Sequence, residues 1–96
     1  MLVVIFRARI AALDAEYEHT AAQLRETALR DFGCLRFEAL SAGDEEIALS
    51  WWPDEASISA WKQHLDHRAA QARGRERWYA SYSVQVARVE REYDYP

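Results

Sequence analysis

The chain predicts an α+β domain of the ferredoxin-like kind, with one antiparallel sheet and two helices on one of its faces, in the order β-α-β-β-α-β. Three observations carry this. Strand-like runs open and close the chain, "LVVIFRARI" rich in Val and Ile, and "YASYSVQVARVEREY" alternating. Two stretches with helical apolar spacing lie between them. A polar turn with one glycine, "SAGDEE", joins two further strand-like runs into a hairpin.

Each element follows from local chemistry. Residues 2–10 form the first strand. Asp14 can cap the helix that follows, because its carboxylate accepts the free amides of a first turn. Tyr17, Ala21, Leu24 and Ala28 then repeat on one helical stripe. Gly33 ends that helix where a left-handed residue costs little. "CLRFEAL" (34–40) is the second strand and "IALSWW" (47–52) the third. Pro53 stops the third strand and Asp54 can cap the second helix. Its inner stripe is Ile58, Trp61, Leu65, Ala69 and Ala72, and Gly74 loosens its end. Residues 79–93 read as the long last strand. No linker, repeat or low-complexity stretch divides the chain, so residues 1–96 form a single domain.

Strand parity raises a question about the second face of the sheet. In the first strand Val4, Phe6, Ala8 and Ile10 oppose Val3, Ile5, Arg7 and Arg9. In the third, Ile47, Leu49 and Trp51 oppose Ala48, Ser50 and Trp52, so one of the two tryptophans must point away from the helices. In the last, Tyr82, Val84 and Val86 oppose Ser83, Gln85, Ala87 and Val89. Neither face is cleanly polar, as a solvated face would be. Two such sheets packed face to face remove the difficulty and predict a homodimer, the commonest symmetry among oligomers. The aromatic content agrees: four Trp, five Tyr and three Phe are much for 96 residues, and some of that surface is expected to meet another subunit or a ligand.

Composition excludes several classes. The net charge is −4, and no basic stripe for nucleic acid is present. "RGRER" (73–77) reads as a solvated helix end, where cations suit the dipole. No run could span a bilayer, and "MLVVIF" lacks the basic flank of a signal peptide, which predicts a cytoplasmic protein. Cys34 is alone, so no internal disulfide forms; it reads as a small buried strand residue.

The runs "LSWWPDEASISAWKQHLDHRAAQARGR" and "YASYSVQVARVEREY" resemble the antibiotic biosynthesis monooxygenase (ABM) family, and the element order resembles the dimeric α/β-barrel proteins. The resemblance covers nearly the whole chain. It implies a dimeric barrel with a pocket in each protomer between sheet and helices. It also implies oxidation of a small electron-rich aromatic substrate, quinol- or anthrone-like, by O₂ without a cofactor. On the matching stretch it assigns catalysis to Trp61 and His67. A related branch binds and degrades haem, but its pattern has a first-strand Asn, whereas this chain contains no Asn and spaces Trp61 and His67 more closely. Tight haem binding is therefore not expected.

The chemistry can be read without the resemblance. Cofactor-free oxygenation needs a base, an apolar pocket and hydrogen bonds to developing negative charge. Histidine suits the base, and Trp and Tyr suit a flat aromatic ligand. "AWKQHLDHRAAQ" carries Trp61, His64 and His67. His64 falls at the edge of the core stripe, as a substrate contact or an ordinary boundary residue. On an unbroken helix His67 falls opposite the stripe, so a pocket role requires a break near residues 64–66. The H-x-x-H pair has no third ligand, so no metal site is expected. Trp78, Tyr79 and Tyr82 can line a pocket mouth, and Arg7 with Arg9 can bind a substrate oxygen or pair with acids. The competing reading is a dimeric ligand-binding or interaction module without catalysis.

Overall fold

In the computed structural model, residues 1–12, 14–72 and 78–96 are described, with the backbone alone for 66–72. The elements are β1 (Leu2–Ile10), α1 (Ala15–Asp31), β2 (Arg36–Ala42), β3 (Glu45–Trp52), α2 (Glu55–Ala72) and β4 (Tyr79–Arg88). The sheet is antiparallel throughout, in the order β2-β3-β1-β4. This is the predicted ferredoxin-like arrangement.

Both helices start at the expected caps. Asp14 Oδ1 accepts from the Tyr17 amide at 2.8 Å, and Asp54 Oδ1 from the Ser57 amide at 2.8 Å. Tyr17 and Ala28 of the α1 stripe are buried, and Ala21 and Leu24 half-buried. On α2, Trp61 is buried, with Ile58 and Leu65 packed beside it. Gly33 adopts φ +78°, which lets the Cys34 amide turn back and donate to the Ala28 carbonyl at 3.1 Å.

Register confirms the face assignments. Leu2, Val4, Phe6 and Ala8 lie beside Trp52, Ser50, Ala48 and Glu46 on one side and beside Arg88, Val86, Val84 and Tyr82 on the other. This face meets the helices: Ala28, Cys34, Trp52 and Trp61 form the buried cluster, with Val4, Phe37 and Leu24 packed against it. Trp51 points to the opposite, open face, where the Arg36 guanidinium lies 3.8 Å over its ring. Val3, Ile5, Ile47 and Leu49 share that face, half-buried, and Leu40 is largely exposed there.

Three boundaries differ from the sequence reading, each for a tertiary reason. The hairpin turn is only Gly43–Asp44, since Ala42 already pairs with Glu45. Gly43 at φ +62° supplies the left-handed step a two-residue turn needs, so strand pairing runs through the polar residues on either side. Cys34 is buried, but in the α1–β2 connection and not in a strand; its Sγ donates to the Arg36 carbonyl. β4 stops at Arg88, not Tyr93. Arg88 pairs with Leu2 and the Val89 amide donates to the Met1 carbonyl at 3.0 Å, the last contact of this ladder.

Candidate functional site

The helix-facing side of the sheet carries two aromatic clusters, one at each end of β1. The first lies at the Leu2 end. Trp52 and Trp61 have ring centroids 6.1 Å apart, Phe32 meets Trp61 edge-on at 5.3 Å, and His64 stacks on Trp61 at 5.5 Å and contacts Phe32 at 5.0 Å. The Trp52 indole N–H donates to Ser50 Oγ at 2.8 Å, so this buried polar tip is satisfied inside the core. His64 Nε2 is buried and makes no hydrogen bond among the described residues. His64 is thus half-buried at the edge of a packed cluster, and the neighbouring Asp31 carboxyl is held below the usual range chiefly by its hydrogen bond from Arg30.

The second cluster lies at the Ile10 end, where β1 meets β4. Tyr17 of α1 contacts Trp78 edge-on at 5.4 Å and Tyr79 at 6.0 Å. Phe6 meets Tyr79 edge-on at 5.5 Å and stacks with Tyr82 at 5.7 Å. Tyr17 and Trp78 are buried, Phe6 and Tyr79 half-buried, and Tyr82 is 55 % exposed. The wall is therefore reachable from solvent along its β4 side.

A carboxylate joins this second cluster. Glu46 lies between Ala8 and Ser41 across the strands, on the helix-facing side, and the Tyr17 hydroxyl donates to its Oε2. A carboxylate on a covered face needs such a donor, because desolvating an unsatisfied charge is costly. Burial, and then the bond to Glu46, push the Tyr17 phenol far above its ordinary value, so Tyr17 stays protonated and acts as donor. Tyr79 also lies within hydrogen-bonding reach of Tyr17.

The residues singled out from sequence fall into separate places. Trp61 and His64 come together at the Leu2 end; Trp78 and Tyr82 come together at the other. About eight strand residues, roughly 25 Å of sheet, separate the two ends. Arg7 joins neither pair. Strand parity sends it to the open face, where it and Arg9 border a shallow depression of about 290 Å³ with Ser81 and Ser83. Arg9 pairs there with Asp44 at 3.8 Å and Glu45 at 3.9 Å, as expected of an arginine facing acids across a sheet. Both are exposed, so these pairs contribute little. His67 lies on α2, which runs as one helix from Glu55 to Ala72 without the break that a pocket role was expected to need. The His67 side chain, with Ala69, Ala72 and Gly74, lies outside the described residues.

Tyr17 and Glu46 were missed as functional candidates. Tyr17 read as the first member of a core stripe, and Glu46 as part of a polar turn. A signal was present: Glu46 shares its parity with Ala48, Ser50 and Trp52, and Tyr17 is the one member of its stripe with a polar tip.

Among the described residues no group of three or more His, Cys, Asp or Glu converges as a metal site, and no helix is long and apolar enough to cross a membrane. Burial holds the Cys34 thiol above its ordinary pKa, which disfavours the reactive thiolate.

With fold and geometry described, the class of protein is clear: residues 1–73 match the family model of the antibiotic biosynthesis monooxygenases, and the chain belongs to that family. Its similarity to particular proteins is as follows. It is 36 % identical over 90 residues to the uncharacterised protein YqjZ of Bacillus subtilis, covering 93 % of this chain and 79 % of that one. The fold is shared with SnoaB, a cofactor-independent oxygenase from Streptomyces nogalater, at a TM-score of 0.74 and 15 % identity over 95 % of this chain and 94 % of that one. It is shared as well with a MhuD variant that holds two manganese protoporphyrin IX per active site, at a TM-score of 0.69 and 13 % identity over 98 % and 99 % of the two chains. At such identities the two structures speak for the fold alone.

Proposed function

We propose that the protein is a homodimeric monooxygenase that oxidises a small electron-rich aromatic, quinol- or anthrone-like, with O₂ and without a resident cofactor. The observation that carries this reading is the half-open wall of Phe6, Tyr79 and Tyr82 on the helix-facing side, next to the Tyr17–Glu46 pair. Flat rings stack on such a wall, and the polar tips orient a hydroxyl or carbonyl. Family membership supports the oxygenase chemistry, and the half-buried apolar residues of the open face support a covering second subunit. The resemblance offers His67 as base or hydrogen-bond partner, but α2 runs without the break that this role was expected to need.

The test is oxygen uptake by the purified protein with a panel of quinols and anthrones, followed by identification of the quinone product. Turnover above the uncatalysed rate is expected; if His67 is the base, His67→Ala loses roughly 10²–10⁴-fold, the range of a general base. No uptake with any of the panel overturns the reading. A wild-type rate in His67→Ala returns that residue to the surface. Light scattering that finds only the 11.2 kDa species at micromolar concentration removes the dimer.

A second reading, a ligand-binding module without catalysis, is supported by the packing of Trp61 into the closed core beside Trp52 and Ala28. Haem binding is disfavoured by the absence of any Asn. A Soret band that survives gel filtration at one haem per chain would reverse that.

A further inference from the structure

We propose that Glu46 is the group that accepts the proton of a hydroxylated aromatic ligand, and that Tyr17 is the positioning residue that holds its carboxylate in place. The consequence for turnover rests on the oxygenase reading above; the binding role does not.

The placement begins with register. Ser41, Glu46, Ala8 and Tyr82 form one row across β2, β3, β1 and β4 on the helix-facing side. Glu46 and Tyr82 are two strands apart, roughly 10 Å, a distance that two fused aromatic rings, a hydroxyl and its hydrogen bond span together. Tyr79 links the ends of this span: it contacts Tyr17 on one side, and Phe6 and Tyr82 on the other. A ligand stacked against Phe6 and Tyr82 therefore has its far edge directed towards the carboxylate.

The two partners have distinct roles. Tyr17 is 6 % exposed and its ring is held against Trp78 and Tyr79, which keeps its hydroxyl beside Glu46. It donates to Oε2, which leaves Oε1 of the half-buried Glu46 able to accept a second hydrogen bond. The phenol keeps its proton at neutral pH because burial and the bond to Glu46 disfavour its anion. The carboxylate is thus the acceptor and the phenol the donor. In the step itself the ligand O–H bond breaks, or the C–H bond beside an anthrone carbonyl does; the proton bonds to Glu46 Oε1 and the electron pair stays on the ligand. The protonated Glu46 then loses that proton to solvent. The ligand anion is the species able to pass an electron to O₂.

The experiment compares binding of 2-naphthol and of naphthalene through quenching of tryptophan fluorescence. It adds quinol and anthrone turnover, for the wild type and for Glu46→Gln, Glu46→Asp and Tyr17→Phe. A hydrogen bond to a charged group predicts that the wild type prefers 2-naphthol by roughly 10-fold or more, and that Glu46→Gln reduces this to a few-fold. Glu46→Gln is expected to lower kcat by about 10²–10⁴-fold with little change in KM, and Glu46→Asp to recover part of it. Tyr17→Phe keeps the ring and its packing, so a fall in kcat at constant KM reads positioning and not loss of the wall. A wild type that shows no preference for 2-naphthol overturns the proposal without any variant, as does a Glu46→Gln protein with wild-type preference and rates. A wild type that prefers 2-naphthol but oxidises nothing overturns the oxygenase reading and leaves Glu46 in its binding role.

Discussion

The two ends of the helix-facing side are built from the same residue types and do different things with them. At the Leu2 end Trp52 is fully buried, its indole N–H is satisfied by Ser50, and Trp61, Phe32 and Ala28 close over it. At the Ile10 end Tyr17 meets Tyr79 edge-on and Phe6 stacks with Tyr82, one hydroxyl is given to a carboxylate, and the β4 side stands open at Tyr82. Aromatic content alone therefore does not mark a site. What separates core from candidate site is whether a second element covers the rings: Trp52 is fully buried, whereas Tyr82 is more than half exposed.

That contrast can be broken by mutation. The largest effect is expected for Trp52→Ala, a loss of roughly 3–5 kcal/mol in urea unfolding, because a cavity replaces the most buried large side chain. Ser50→Ala should cost about 1–3 kcal/mol, since it leaves the buried indole N–H without its acceptor.

The third prediction concerns alkaline pH. The folded Tyr17 phenol titrates above its unfolded value. Its contribution to stability is therefore whole below pH about 10 and lost as pH rises beyond that, where the unfolded chain ionises first. Thermal melts from pH 8 upwards should fall less steeply for Tyr17→Phe than for the wild type.

The smallest effect on stability is expected at the open end. Tyr82→Ala should stay within about 1 kcal/mol of wild type in the same urea assay, because the ring is more than half exposed. It should nonetheless weaken aromatic-ligand binding measurably. Equal destabilisation by Trp52→Ala and Tyr82→Ala would erase the distinction between a closed and an open end.

Much of this molecule is set by short-range chemistry that can be read along the chain. The alternation in Leu2–Ile10, the stripe from Tyr17 to Ala28, the caps Asp14 and Asp54 and the turn at Gly43 depend on neighbours a few residues away, and each is found where periodicity and capping place it. Parity likewise placed Trp51 and Trp52 on opposite faces. Other features depend on partners distant in sequence. β4 ends at Arg88, where its pairing with Leu2 of β1 ends, although the alternation continues to Tyr93. Cys34 is buried by the return of the chain under α1, not by a strand. Arg7 was separated from Trp78 and Tyr82 by the thickness of the sheet, and Trp61 from them by its length. Tyr17 and Glu46, 29 positions apart, became a pair only when α1 settled on the sheet. Local periodicity decides which face a residue occupies, because it acts through backbone geometry. Which residues meet on that face is decided by register and helix docking, and those are set by the packing of the whole chain.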